Sequence, residues 1–256
     1  MHLSRLVRQG LAFLLGLTIT LGVGVLTPET AKALPWQQLI LNGIQLLQLN
    51  TLSPQQRVQL GESIHQQVTS NYRINTNPQT NALVNRIGQR LVSASDCSQY
   101  PFRFYVVQDS QINAFATTGG FVYVNTGTIR AADTEDQLAS VMGHEIGHIC
   151  NDDLIKRLRK TSLAQGALTA AGMDRNALAG IAYKLAVDLP NNRQDEFNAD
   201  AKGLQYLVRA GYDPRAMPAF LSKLLQSASP PTFLSNHPGT RDRIAALEQK
   251  INQGTY

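Results

Sequence analysis

The chain has 256 residues and a formal net charge of +5. Its length supports one well-cored domain. The basic residues are spread along the chain with no Lys/Arg block, which gives no support to nucleic-acid binding.

The first residues read as an export leader. Arg5 and Arg8 give a positive start, Leu11 to Leu26 is an apolar run without charge, and Ala31-Lys32-Ala33 offers a small-x-small cleavage site. The run is shorter than the roughly 20 residues a membrane-spanning helix needs. Residues 1–33 are therefore expected to be a cleaved signal peptide, with a retained anchor as the alternative. Leu34 follows the cut where a bacterial lipoprotein needs a cysteine, which argues against a lipid anchor.

Residues 34–256 then form the expected functional domain. Its first stretch, 34–52, is rich in Leu, Ile and Gln and reads as a helical extension that packs on the domain or lies at a membrane surface. Ser53-Pro54 and Asn77-Pro78 each combine a capping side chain with a first-turn proline, so they open helices running to about Ser70 and Ala94. His65, in the first of these, reads as a helix-surface residue. Phe102 to Val107 and two short runs within Ile112 to Val124 predict three strands, the last two forming a hairpin around Thr117-Thr118-Gly119-Gly120. A loop is expected at Asn125 to Thr128. Asp133 or Thr134 can then cap a helix with Glu135 and Asp136 in its first turn, where the helix dipole favours negative charge.

Residues 161–189 are rich in Ala, Gly and Leu and suggest one or two helices ending at Pro190-Asn191-Asn192. Further helices are expected at about 194–210, 215–226 and 241–250, with a turn at Gly211-Tyr212-Asp213-Pro214 and a loop at Ser229-Pro230-Pro231. Cys97 and Cys150 form either a disulfide or two buried thiols.

The chemistry concentrates in His144-Glu145-Ile146-Gly147-His148. On a helix, residues four apart lie about 40° apart around the axis, so both imidazoles can reach one metal ion with Glu145 beside them. A catalytic zinc takes three protein ligands and keeps one position open. Glu196 is the candidate third ligand. Asp200, four residues on, shares its helix face and can fix a ligand imidazole from behind. Glu145 is the candidate general base. Cys150 falls about 200° past His148 and should point away from the metal.

His237 stands in a loop beside Pro238 and Gly239. It is either a structural loop residue or a donor to the oxyanion formed when water attacks a peptide carbonyl, and a resting-state ligand to the metal is a further alternative. Arg243 can hold that loop or the acidic groups. Asn113, Ala114, Phe115 and Ala116 are either a core strand or an edge strand alongside which an extended peptide can pair.

These motifs together resemble the gluzincin metalloendopeptidases of the HtpX and CAAX-prenyl-protease family. The likeness runs over about residues 54–250 and rests on Asn113 to Ala116, Gly119 to Gly127, residues 144–148, Arg193 to Asp200 and His237-Pro238. Gly211 to Pro214 is similar to the soluble, exported BepA-like branch, here without its repeat domain. Thr118 departs from the pattern, where a proline often precedes the paired glycines, and so does Asn151-Asp152-Asp153, where a basic stretch is common. The resemblance implies an α+β, mostly helical zincin-type fold with a small sheet over the metal helix. It also implies one zinc ion per chain, held by His144, His148 and Glu196, with Glu145 as base and His237 as transition-state donor.

The expected function is a zinc endopeptidase acting on unfolded or misassembled polypeptides of the periplasm or an equivalent envelope or lumenal space. Peripheral membrane association remains open. The alternative from another class is a chaperone-like binding module that keeps the fold with little proteolysis.

Overall fold

The computed structural model describes residues 52–164 and 175–256. The expected leader and all but the last residue of the 34–52 extension lie outside the described residues. Two helices lead into the sheet. In α1 (Pro54–Asn71) the Ser53 hydroxyl accepts from the Gln56 N–H while the Gln56 side chain accepts from the Ser53 N–H. This reciprocal cap satisfies two end donors that a helix leaves unpaired. Asn77 caps α2 (Pro78–Ser93) in the simpler one-sided way.

Three short strands follow: β1 (Arg103–Val107), β2 (Ala114–Ala116) and β3 (Phe121–Asn125). β3 is central, parallel to β1 and antiparallel to β2. Both β2 and β3 are apolar at nearly every position because each face of the sheet is covered. Val106, Ala114, Val122 and Val124 join a core with α2 and with helices later in the chain. Val107, Phe115, Phe121 and Tyr123 join a second core with α1.

The loop expected at 125–128 is instead mostly a short helix, α3 (Thr126–Ala131). It is held by tertiary bonds: Thr126 Oγ1 donates to the Asp109 carbonyl and Thr128 Oγ1 to the Asn113 carbonyl at 2.6 Å. Local pattern does not carry such bonds. His65 is likewise corrected. It is only partly exposed, stacks on Tyr105 at 4.3 Å between ring centroids, and its Nδ1 lies 2.9 Å from the Tyr123 hydroxyl.

Helix α4 (Glu135–Cys150) is capped by Thr134 and is buried from Leu138 through Ile149. α5 (Asp153–Ala164) follows after a tight turn in which Asp152 takes φ 57°. The Ala/Gly/Leu-rich segment is described from α6 (Arg175–Tyr183), which runs into a π-helical turn at Lys184–Asp188. Then come α7 (Arg193–Arg209), α8 (Ala216–Leu225), α9 (Thr232–Asn236) and α10 (Thr240–Gln253). The short α9 is not expected from the sequence; its Phe233 N–H donates to the Ile112 carbonyl.

Among the described residues, α4 crosses α7 at close range, made possible by glycine. A Cβ on Gly147 would meet the Ala199 carbonyl oxygen at 2.6 Å, and one on Gly203 would meet the His144 nitrogen at 2.9 Å. Cys97, in the turn before β1, is disulfide-bonded to Cys150 at the end of α4, with Cα atoms 5.4 Å apart. Of the two states left open by the sequence, the structure has the bridge. Among the described residues no helix is long and apolar enough to cross a membrane.

Candidate metal centre

His144 and His148 lie one turn apart on α4, and Glu196 and Asp200 one turn apart on α7. The close crossing brings the two faces together. Glu196 is fully buried, His144 is 2% exposed and Glu145 1%. From the loop before α10, His237 enters the same space and is buried at 3%.

Four donor atoms converge. His144 Nε2 lies 3.1 Å from His148 Nε2 and 3.1 Å from His237 Nδ1. Glu196 oxygens lie 3.3 Å from His144 Nε2, 3.2 Å from His148 Nε2 and 3.2 Å from His237 Nδ1. Tetrahedral ligands about 2.0 to 2.1 Å from a shared ion stand about 3.3 Å apart from one another. The donor set and its spacing therefore fit a zinc-sized cation. The four residues form a cluster that could hold a metal.

The outer nitrogens fix how the imidazoles are presented. His144 Nδ1 faces Asp200 Oδ1 at 2.8 Å, and His148 Nδ1 faces Asp153 Oδ2 at 2.9 Å. A proton donated outward to each carboxylate leaves a lone pair on each Nε2 pointing inward. His237 is turned the other way. Its Nε2 lies 3.4 Å from the Ala114 carbonyl and 3.5 Å from Glu145 Oε1, so its Nδ1 faces the centre.

Arg243, 1% exposed, ties the acids together. It grips Asp200 through Nε at 2.6 Å and Nη2 at 2.7 Å, reaches Glu196 Oε2 at 2.7 Å, and donates to the His237 carbonyl at 3.1 Å.

The electrostatics favour positive charge at the centre. Burial opposes ionisation of His148, yet the Glu196 carboxylate and the Asp153 hydrogen bond raise it to about 10. His144 is also raised, with burial outweighed by Glu196 and Asp200. Burial opposes the charge on Glu196 too, but the three imidazoles hold it well below the carboxylate range. For Asp200, Arg243 outweighs burial in the same direction.

A small cleft opens beside the cluster, lined by Ala116, Thr117, Glu145, Asp153 and Asn191 among others. β2 forms one wall. The Asn113 carbonyl accepts from the Asn125 N–H and the Thr117 N–H donates to the Phe121 carbonyl. By antiparallel alternation, Ala114 and Ala116 turn their backbone groups to the free edge. Asn113, Ala114 and Phe115 are buried, and Phe115 lines the cleft with Ala116 and Thr117.

The structure thus brings His144, Glu145, His148, Glu196, Asp200, His237 and Arg243 into one cluster. Sequence reasoning missed two residues there. Asp153 supports His148 and also binds Lys156 at 3.1 Å. Asn191 Nδ2 donates to Glu196 Oε1 at 2.8 Å, while its Oδ1 is bonded by Arg157. An acid soon after the motif and an asparagine just before the acidic helix were the available signals.

The chain is similar to known peptidases. The model of Peptidase family M48 matches residues 78–251. The beta-barrel assembly-enhancing protease of Escherichia coli (strain K12) is 34% identical over 221 residues, covering 80% of this chain and 45% of the relative. The same-named protein of Yersinia pestis is 31% identical over 242 residues, covering 88% of this chain and 50% of the relative. The mitochondrial metalloendopeptidase OMA1 of Schizosaccharomyces pombe is 28% identical over 177 residues, covering 66% of this chain and 52% of the relative. The chain spans about half the length of the relatives it matches.

Proposed function

The chain belongs to Peptidase family M48, and on that footing we propose that it is a zinc-dependent endopeptidase with one metal ion held by His144, His148 and Glu196. The observation that carries this reading is the set of inward-facing donors at tetrahedral spacing with Glu145 beside them. When bound there, zinc would lower the pKa of a water molecule to about 7 and polarise a peptide carbonyl.

The protein's own groups supply the rest. Asp200 and Asp153 orient the two imidazoles, and Arg243 balances the buried acids. Glu145 Oε1 is buried without a hydrogen-bond partner, which leaves it free to take a proton from the attacking water and pass it to the leaving amine. His237 Nδ1 faces the same centre and would occupy the position that hydrolysis needs open, so we read this arrangement as a resting one. Once displaced, its imidazole serves as donor to the oxyanion. Ala116 offers outward backbone groups for an extended peptide, while the Ala114 carbonyl is faced by His237 Nε2 in the present arrangement.

The substrates are polypeptides, in our reading unfolded or misassembled proteins of the cell envelope. Two observations support this: the relatives' naming for β-barrel assembly and a disulfide that suits an oxidising compartment. A complete donor set with a base beside it favours hydrolysis over a chaperone-like module, which has no use for Glu145.

The test is casein cleavage by wild type and Glu145→Gln, with zinc measured in both. The variant should keep its metal and lose about 10²- to 10⁴-fold in turnover. Equal cleavage by the two would reject the mechanism.

A further inference from the structure

Thr117 directly follows β2 and lines the cleft. It is 2% exposed, and its hydroxyl oxygen is buried with no hydrogen-bond partner. Leaving a buried hydroxyl unpaired costs stability that a methyl group of similar size would not. Four other side-chain atoms among the described residues share this condition, on Asn113, Asn125, Glu145 and Asn151. Only Thr117 and Glu145 of the five residues line the cleft. Glu145 has a reason to be unpaired in the chemistry proposed above.

The register suggests a reason for Thr117 as well. Outward backbone groups recur every second residue along β2, at Ala114 and Ala116, so the next would fall at Thr118. The chain turns there instead, through Gly119 at φ 74° and Gly120 at φ 97°. The backbone ladder offered to a ligand therefore ends at Ala116. Thr117's own N–H is already committed to the Phe121 carbonyl at 2.9 Å. Its hydroxyl can both donate and accept, so it can meet either polar group of a peptide unit.

We propose that the Thr117 hydroxyl is a substrate-positioning group that hydrogen-bonds the main chain of an extended polypeptide just beyond Ala116, supplying the rung the turn removes. This rests on the peptidase reading, and the test separates the two.

Thr117→Val keeps the shape and removes the hydroxyl; Thr117→Ser keeps the hydroxyl. Both are compared with wild type for casein cleavage, zinc content and thermal unfolding. Each is also placed in the Glu145→Gln background, where binding of fluorescein-labelled casein is read by anisotropy without turnover. Thr117→Val should raise Tm by about 2–4 °C, keep its zinc, and weaken kcat/KM and casein binding by roughly three- to tenfold, chiefly through KM. Thr117→Ser should restore both.

An unchanged Kd and kcat/KM in Thr117→Val overturns the inference. So does a fall in Tm alongside the loss of binding, which would make the hydroxyl a structural group. If wild type and Glu145→Gln cleave equally, the peptidase reading fails, and the anisotropy comparison still decides the role of Thr117.

Discussion

Along the floor of the cleft, where α4 crosses α7, the functional side chains are held by buried partners. Asp200 and Asp153 hold the two α4 imidazoles, Arg243 spans Asp200, Glu196 and the His237 carbonyl, and glycines let the two backbones touch. Along the lip the rule reverses. Thr117 has an unanswered hydroxyl, Ala116 turns backbone groups outward, and Leu189, two residues before the cleft-lining Asn191, is 49% exposed. The difference teaches that the floor is organised around a positive charge before any ligand arrives. The lip leaves its hydrogen bonds to be completed by what binds.

Arg243→Ala should break the floor most severely. It strands Asp200 and Glu196 as buried charges without their counterion, and removing one partner of such a group costs about 3–5 kcal/mol. Urea unfolding should show that loss, and a cost below about 1 kcal/mol would mean the network does not hold the floor. Gly147→Ala comes next. Its added methyl would press on the Ala199 carbonyl, and overpacking of this kind costs about 1–3 kcal/mol. Elemental analysis should show reduced zinc, because the crossing that aligns His148 with Glu196 is forced apart. On the lip, Leu189→Ser should change stability by no more than about 0.5 kcal/mol. A loss in Leu189→Ser equal to that of Gly147→Ala would erase the distinction between the two regions.

Much of the floor was legible in the sequence because it is written in helical spacing. His144 and His148, and Glu196 and Asp200, are each four apart, and capping residues at Ser53, Asn77 and Thr134 mark helix starts. What escaped depends on tertiary bonds. Asp153 meets His148 only because Asp152 turns the chain back at φ 57°. Asn191 reaches Glu196 because Arg157 holds its amide from the far side. Helices α3 and α9 are too short for periodicity to reveal and are fastened by bonds to Asp109, Asn113 and Ile112. His65 carries no local sign that a tyrosine from the sheet will meet it.

The disulfide braces the crossing of α4 and α7 from outside the donor cluster. Cys150 anchors the last turn of α4 covalently to the segment ahead of β1, and Asp96, next to its partner, grips Lys202 and Tyr206 on α7. Both helices that carry the inward donors are thereby moored to one short stretch of chain. The segments around Asn191 and His237 lie outside that mooring and are joined to each other by the Asn191 N–H and the Asn236 carbonyl.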